Sequence, residues 1–272
     1  MEMNDICRMV ARTLLSEIGP WGERCALFGG LIPGLLVPAP LPPLSPHIGT
    51  RDVDLALRIA ALGDEREMYR TLKGNLSKLG LRQSSDTSFE WRRSVEGVEV
   101  VVELFVPVDD PAQGGRVQRK PIEQSGSGLT ALGIYGLELI ERDIEIVLDE
   151  GPLLDELGIK AVPLRVCGPA MLLALKAWAL TERNKTKDGY DVVWMLQALG
   201  PEVIAARFRD AGLHQTEFGA GAIARLEDCF ASPSHTGPVG WITESGFESE
   251  EAARQRRDAV GLVREFIAGV RV

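Results

Sequence analysis

The sequence predicts an α+β protein: a mixed sheet flanked by helices over residues 1–167, followed by a helical bundle over 168–272. Two observations carry this reading. Short apolar and period-two runs, the mark of strands with a buried face, recur in the first 167 residues, whereas from Gly168 onward apolar residues return at helical spacing. No internal repeat is visible, so the two stretches are read as two unequal domains rather than copies of one unit.

In chain order, Ile6, Met9, Val10, Thr13, Leu14 and Ile18 recur at helical spacing and predict a helix over 3–18. Cys25–Phe28 is a short strand ending in Gly29-Gly30, and a short helix is expected after the glycines. Five prolines between Pro38 and Pro46 exclude regular structure there. Residues 52–59 read as a strand and 65–79 as an amphipathic helix closed by Gly80. Strands at 89–95 and 98–106 are joined by Glu96-Gly97 as a hairpin. Residues 113–128 read as a polar loop, and 144–148 and 163–166 as two short strands. Helices are expected at about 168–183, 188–199, 201–211, 215–230 and 249–269.

Composition narrows the class. The 272 residues carry 30 Lys+Arg against 39 Asp+Glu, a net charge of −9. That balance opposes coating nucleic acid through bulk charge, though it leaves room for a local basic cleft. No stretch approaches the length of a membrane span, and the first residues lack the basic start and apolar core of a signal peptide. Cys7, Cys25, Cys167 and Cys229 lie far apart, as expected of reduced, buried thiols in a cytoplasmic protein, and His47, His214 and His235 form no zinc pattern with them.

Chemistry concentrates first in Thr50-Arg51-Asp52-Val53-Asp54-Leu55. Strand residues two apart share a face, so Asp52 and Asp54 project together while Val53 and Leu55 enter the core. Adjacent carboxylates repel, and a divalent cation relieves that conflict; the plain alternative is a solvated strand edge. In the strand at 98–106 one face is wholly apolar and the other carries Glu103. An acid in the most hydrophobic strand of the chain is a third ligand candidate, or else a half-exposed strand residue. Gly29 and Gly30 would let backbone N–H groups approach a phosphate, or form a plain turn.

These residues together resemble the polymerase-β-type nucleotidyltransferases: Gly-Gly after a strand, then Thr-x-Asp-x-Asp-Leu, then an acid on a later strand. The block Lys176…Arg183…Lys187-Asp188-x-x-Asp191 is similar to that of the AbiEii-type abortive-infection nucleotidyltransferases, toxins of toxin–antitoxin pairs. The similarity covers roughly residues 25–200. Family members often carry arginine two residues before the threonine, where Ile48 stands here beside His47, and the third acid is commonly aspartate.

Bottom-up, Lys176 and Arg183 are seven apart and would share a helix face, extended by Lys187 if the helix continued past Asn184. Such a row would hold nucleotide phosphates, with Asp188 and Asp191 orienting the cations or the acceptor hydroxyl; the alternative is a salt-bridged, solvated helix face. Trp178, Tyr190 and Trp194 are read as packing between helices.

The resemblance implies a Mg²⁺-dependent nucleotidyltransferase with one or two ions held by Asp52, Asp54 and Glu103, and NTP as substrate. Gly29, Gly30, Thr50, Lys176, Arg183 and Lys187 would bind the nucleotide, and Asp188 would join the catalytic set with Asp191 in support. The implied acceptor is RNA, at a tRNA 3′ end, and the implied protein partner is an antitoxin. Two alternatives remain at this point: transfer to a small cationic molecule such as an aminoglycoside, and a catalytically silent binding protein of the same fold.

Overall fold

The structure, a computed structural model, describes residues 3–18, 22, 24–57, 66–85, 89–118, 129–183 and 185–272. The chain divides into two compact units. The α/β unit comprises Met1–Leu36, Ile48–Ile140 and Ile144–Cys167; the helical unit comprises Val37–His47, Glu141–Asp143 and Gly168–Val272. The proline-rich loop therefore belongs to the helical unit.

In the α/β unit, helix α1 (Met3–Ile18) precedes strand β1 (Cys25–Phe28), a 3-10 turn (Gly29–Leu31) and the short helix α2 (Ile32–Leu36). Then come β2 (Asp52–Leu57), α3 (Arg66–Lys78), β3 (Arg82–Gln83), β4 (Glu90–Val95), β5 (Val98–Val108), β6 (Val117–Gln118), β7 (Ala131–Tyr135) and the hairpin β8 (Ile144–Pro152) and β9 (Ile159–Cys167). The strands form one mixed sheet in the order β3-β4-β5-β2-β1-β9-β8, with β7 beside the far end of β5 and β6 beside β7. β2 runs parallel to β5 and antiparallel to β1, while β4 and β5 form the expected antiparallel hairpin.

The apolar face of β5 behaves as its alternation requires: Val100, Val102, Leu104 and Val106 are fully buried. Helix α1 buries Ile6, Val10 and Leu14, and its Arg8 and Arg12 both pair with the buried Asp149 of β8. The two short strands expected at 144–148 and 163–166 prove to be longer and paired along nine residues each. The loop expected at 113–128 is interrupted by β6, which pairs with β7; residues 119–128 of that expectation, and 58–59 of the strand at 52–59, lie outside the described residues.

The helical unit contains α4 (Pro169–Glu182), α5 (Thr186–Leu199), α6 (Pro201–Asp210), α7 (Glu217–Cys229), α8 (Thr236–Ser245) and α9 (Ser249–Val270). α4 starts at Pro169, and Asp143 accepts a hydrogen bond from Met171 N–H at 2.8 Å while pairing with Arg207. α8 is absent from the sequence expectations. It crosses α5 at backbone contact: a Cβ at Gly189 would meet Gly237 O at 2.6 Å, so only glycine allows this approach. Trp194, Phe208, Phe218, Phe230 and Phe266 fill the core.

Candidate active site

The acids of the α/β unit meet through strand register. Asp54 of β2 lies directly opposite Glu103 of β5, and on its other side opposite Phe28 of β1. Glu103 in turn lies opposite Glu90 of β4. Three carboxylates thus stand in a row across β2, β5 and β4, with Asp52 two residues before Asp54 on the same strand face. Asp52 and Asp54 are half-buried, whereas their neighbours Val53 and Leu55 are fully buried, as the alternation predicts.

Glu103 carries the electrostatic cost of this arrangement. Burial, the adjacent Asp54 charge and a hydrogen bond to Asp54, with smaller contributions from Asp52 and Glu90, push its carboxyl up to about 8. The site's far end is apolar: Phe105, two residues beyond Glu103, packs edge-on against Phe28 with centroids 4.9 Å apart and lies 5.9 Å from Phe89. Beneath it, Cys7 of α1 donates to Thr50 O at 3.4 Å, and burial, with Asp52 and Asp54 adding to it, raises the thiol to about 12. Cys7 is therefore a protonated structural thiol.

Gly29 adopts a positive φ of 76°, and a Cβ at this position would collide with the Asp54 carboxylate. The glycine is there because the turn after β1 presses against the acid. Gly30 is buried in the same 3-10 turn, and Thr50 Oγ1 accepts a hydrogen bond from Asp52 N–H at 3.2 Å. Among the described residues, no three His, Cys, Asp or Glu side chains are gathered closely enough to hold a metal ion, so the acids are a row and not a preformed cage. Their donor type, hard carboxylate oxygen, is the type a divalent cation takes.

The helical unit holds the second group. Lys176, enclosed in α4, pairs with Asp188 Oδ1 at 2.8 Å and Asp191 Oδ2 at 2.6 Å. Arg183 reaches Asp188 at 3.2 Å, and Lys187 reaches Asp191 Oδ1 at 3.1 Å. Burial alone would lower the Lys176 ammonium, but Asp191 and Asp188 outweigh it and hold it above its usual value. Burial alone would raise Asp191; Lys176, a hydrogen bond from His47 and Lys187 outweigh it and hold the carboxyl far below the usual range.

The condition for one stripe running through Lys187 is not met, because α4 ends at Glu182 and a separate helix begins at Thr186, in line with the two helices expected at 168–183 and 188–199. Lys187 joins the group from α5, not by continuing the first helix. Of the three cations, Arg183 is 49 % and Lys187 30 % exposed at the side chain, against 9 % for Lys176. Tyr190 and Trp194 are buried, and Tyr190 stacks on Trp241; Trp178 stacks on Phe218 beneath the Arg225 guanidinium. Sequence reasoning missed Glu90 and His47. A repeating acid in a hairpin register could have revealed Glu90, whereas no local pattern links His47 to Asp191.

Residues 49–263 match the family model described as nucleotidyl transferase AbiEii toxin of a type IV toxin–antitoxin system. The chain belongs to the AbiEii family. No curated protein matches it. The AbiEii match spans Asp52, Asp54, Glu103 and the whole Lys176–Asp191 block, while Gly29, Gly30 and His47 precede it. Nucleotidyl transfer in a toxin–antitoxin setting is the activity of this family. Among the described residues, no helix is long and apolar enough to cross a membrane.

Proposed function

We propose that the protein is a divalent-metal-dependent nucleotidyltransferase that joins a nucleoside monophosphate from an NTP to a hydroxyl of RNA, at a tRNA 3′ end, in the cytoplasm, under control of an antitoxin. The observation that carries this reading is the opposition of Asp54 and Glu103 across parallel strands, beside the Gly29 turn. A carboxyl pushed up to about 8 by burial and its acidic neighbours is a costly arrangement for a protein that does not use it.

Asp52, Asp54 and Glu103 would hold one or two Mg²⁺ ions. Such an ion, when bound, screens the triphosphate and lowers the pKa of the acceptor hydroxyl. The remaining work belongs to the chain. The backbone N–H groups at Gly29 and Gly30, with the Thr50 hydroxyl, line the triphosphate. Glu103, once ionised, accepts the acceptor hydroxyl proton. The hydroxyl oxygen bonds to the α-phosphorus, the bond from that phosphorus to the bridging oxygen breaks, and pyrophosphate leaves with the electron pair. In the helical unit, Lys176, Arg183 and Lys187 are the cations offered to phosphate charge, with Asp188 and Asp191 holding them in place.

The test is incubation with each of four α-labelled NTPs, Mg²⁺ and total RNA, alongside Asp54→Ala. Label entering RNA with the native protein alone supports the reading. Label entering an added aminoglycoside instead would move the acceptor to a small molecule. Neither label nor Mg²⁺-dependent NTP binding would leave only a silent binding protein.

A further inference from the structure

The segment Val37–His47 is part of the helical unit, and it ends in a buried contact that the reaction scheme above does not use. His47 Nε2 lies 2.9 Å from Asp191 Oδ1, with the imidazole 1 % exposed. Its ring is wedged between Tyr190 and Trp194, each with centroids 5.1 Å away. Trp194 Nε1 donates to Ser45 O at 3.0 Å, which fixes the strap two residues earlier.

We propose that His47 is a positioning residue: acting through Asp191, it fixes the Lys176 ammonium and so sets the strength of the phosphate grip. The proposal rests on the reading of Lys176 as a phosphate-binding cation.

Both oxygens of Asp191 are committed: Oδ1 to His47 and Lys187, Oδ2 to Lys176. An ammonium is a point charge with rotatable donors, so the two lysines constrain the plane of the carboxylate weakly. An imidazole N–H has one direction, and here aromatic walls and the Ser45 tether hold the ring that carries it. Burial, partly countered by Asp191, lowers His47 below its usual value, so the ring is neutral. A neutral donor orients Asp191 without competing with Lys176 for its charge, as a third cation would.

Packing alone does not explain the residue, since an apolar side chain would fill the same slot between Tyr190 and Trp194. The five prolines of the strap lower the entropy lost in ordering it, which suits a segment that must deliver one side chain accurately.

The test compares full-length His47→Leu and His47→Gln with the native protein by NTP kinetics and by competitive acetylation, scoring Lys176 against the exposed Lys160 by mass spectrometry. His47→Leu should raise KM for NTP about tenfold with kcat changed less than about threefold, because a hydrogen bond to a charged group is lost from ground state and transition state alike. Relative acetylation of Lys176 should rise severalfold, and His47→Gln, which restores an N–H donor, should reverse both changes. Should the leucine variant not fold, His47→Asn, whose amide is too short to reach, should behave as the leucine variant is expected to. Unchanged KM and unchanged relative acetylation, even with a lower Tm, would overturn the proposal, as would a glutamine variant no better than the leucine one. If the native protein transfers no nucleotide, the functional reading fails, and the acetylation ratio still decides whether His47 positions Lys176.

Discussion

Asp54 and Glu103 face each other across the parallel pair β2 and β5, and burial together with the Asp54 charge pushes the Glu103 carboxyl up to about 8. This relationship links stability to function: the two acids cost folding energy that an ion would return.

The cost has a definite pH dependence. The folded Glu103 carboxyl lies at about 8 against an ordinary value of 4.5, so the native state binds the proton more tightly than the unfolded chain. Its contribution is therefore fully present below about 4.5 and is lost as pH rises through about 8. In EDTA, Tm should fall more steeply with rising pH across this window for the native protein than for Glu103→Gln. Added Mg²⁺ should flatten the native slope. Equal slopes for both proteins in differential scanning calorimetry would show that Glu103 is not the group responsible.

Asp54→Asn separates stability from activity. Removing the charge opposite Glu103 relieves the leading electrostatic conflict of the row, so Tm at about pH 8 should rise. The same change removes a ligand of the proposed ion and should lower transfer by roughly 10²–10⁴-fold. A variant both less stable and fully active would contradict the arrangement on both counts.

The Lys176 group should behave as a buried ion network. Lys176→Met strands Asp188 and Asp191 without their shared partner, at a cost of about 3–5 kcal/mol. Adding Asp191→Asn should recover part of that loss, since one stranded charge is gone and Asp188 keeps Arg183 at 3.2 Å. Urea denaturation of the single and double variants measures the coupling. Strict additivity would mean that the ion pairs contribute nothing together.

Local pattern singles out several residues of the candidate site. Asp52 and Asp54 were legible because strand residues two apart share a face, and Glu103 because it interrupts an apolar strand. What the sequence does not print is register: nothing local says that Asp54 stands opposite Glu103, or that Glu90 stands behind it. β3 and β6, two residues each, exist only through their pairing with β4 and β7. α8 escaped notice because Gly237, Pro238 and Gly240 punctuate it like a loop, yet a Cβ at Gly240 would collide with Thr186 O in the crossing with α5. His47 and Asp191 are separated by 144 positions and meet only in the folded helical unit.

Gly29 gives a test that distinguishes backbone strain from interference with the acid. Its φ of 76° disfavours any side chain, and a Cβ there would also run into the Asp54 carboxylate. Gly97 in the β4–β5 hairpin has a similar φ of 80°, with nothing within 4 Å of where a Cβ would sit. Alanine at either position pays for the left-handed backbone, on the order of 1 kcal/mol. Only Gly29→Ala should displace Asp54 from Glu103, so its loss of Tm should exceed that of Gly97→Ala, and transfer should fall by at least about 10²-fold while Gly97→Ala stays within about twofold. The displacement should also relieve Glu103, whose carboxyl should drop from about 8 in a carboxylate-resolved NMR titration. Equal activity in the two alanine variants would mean that the contact between Gly29 and Asp54 has no part in the chemistry.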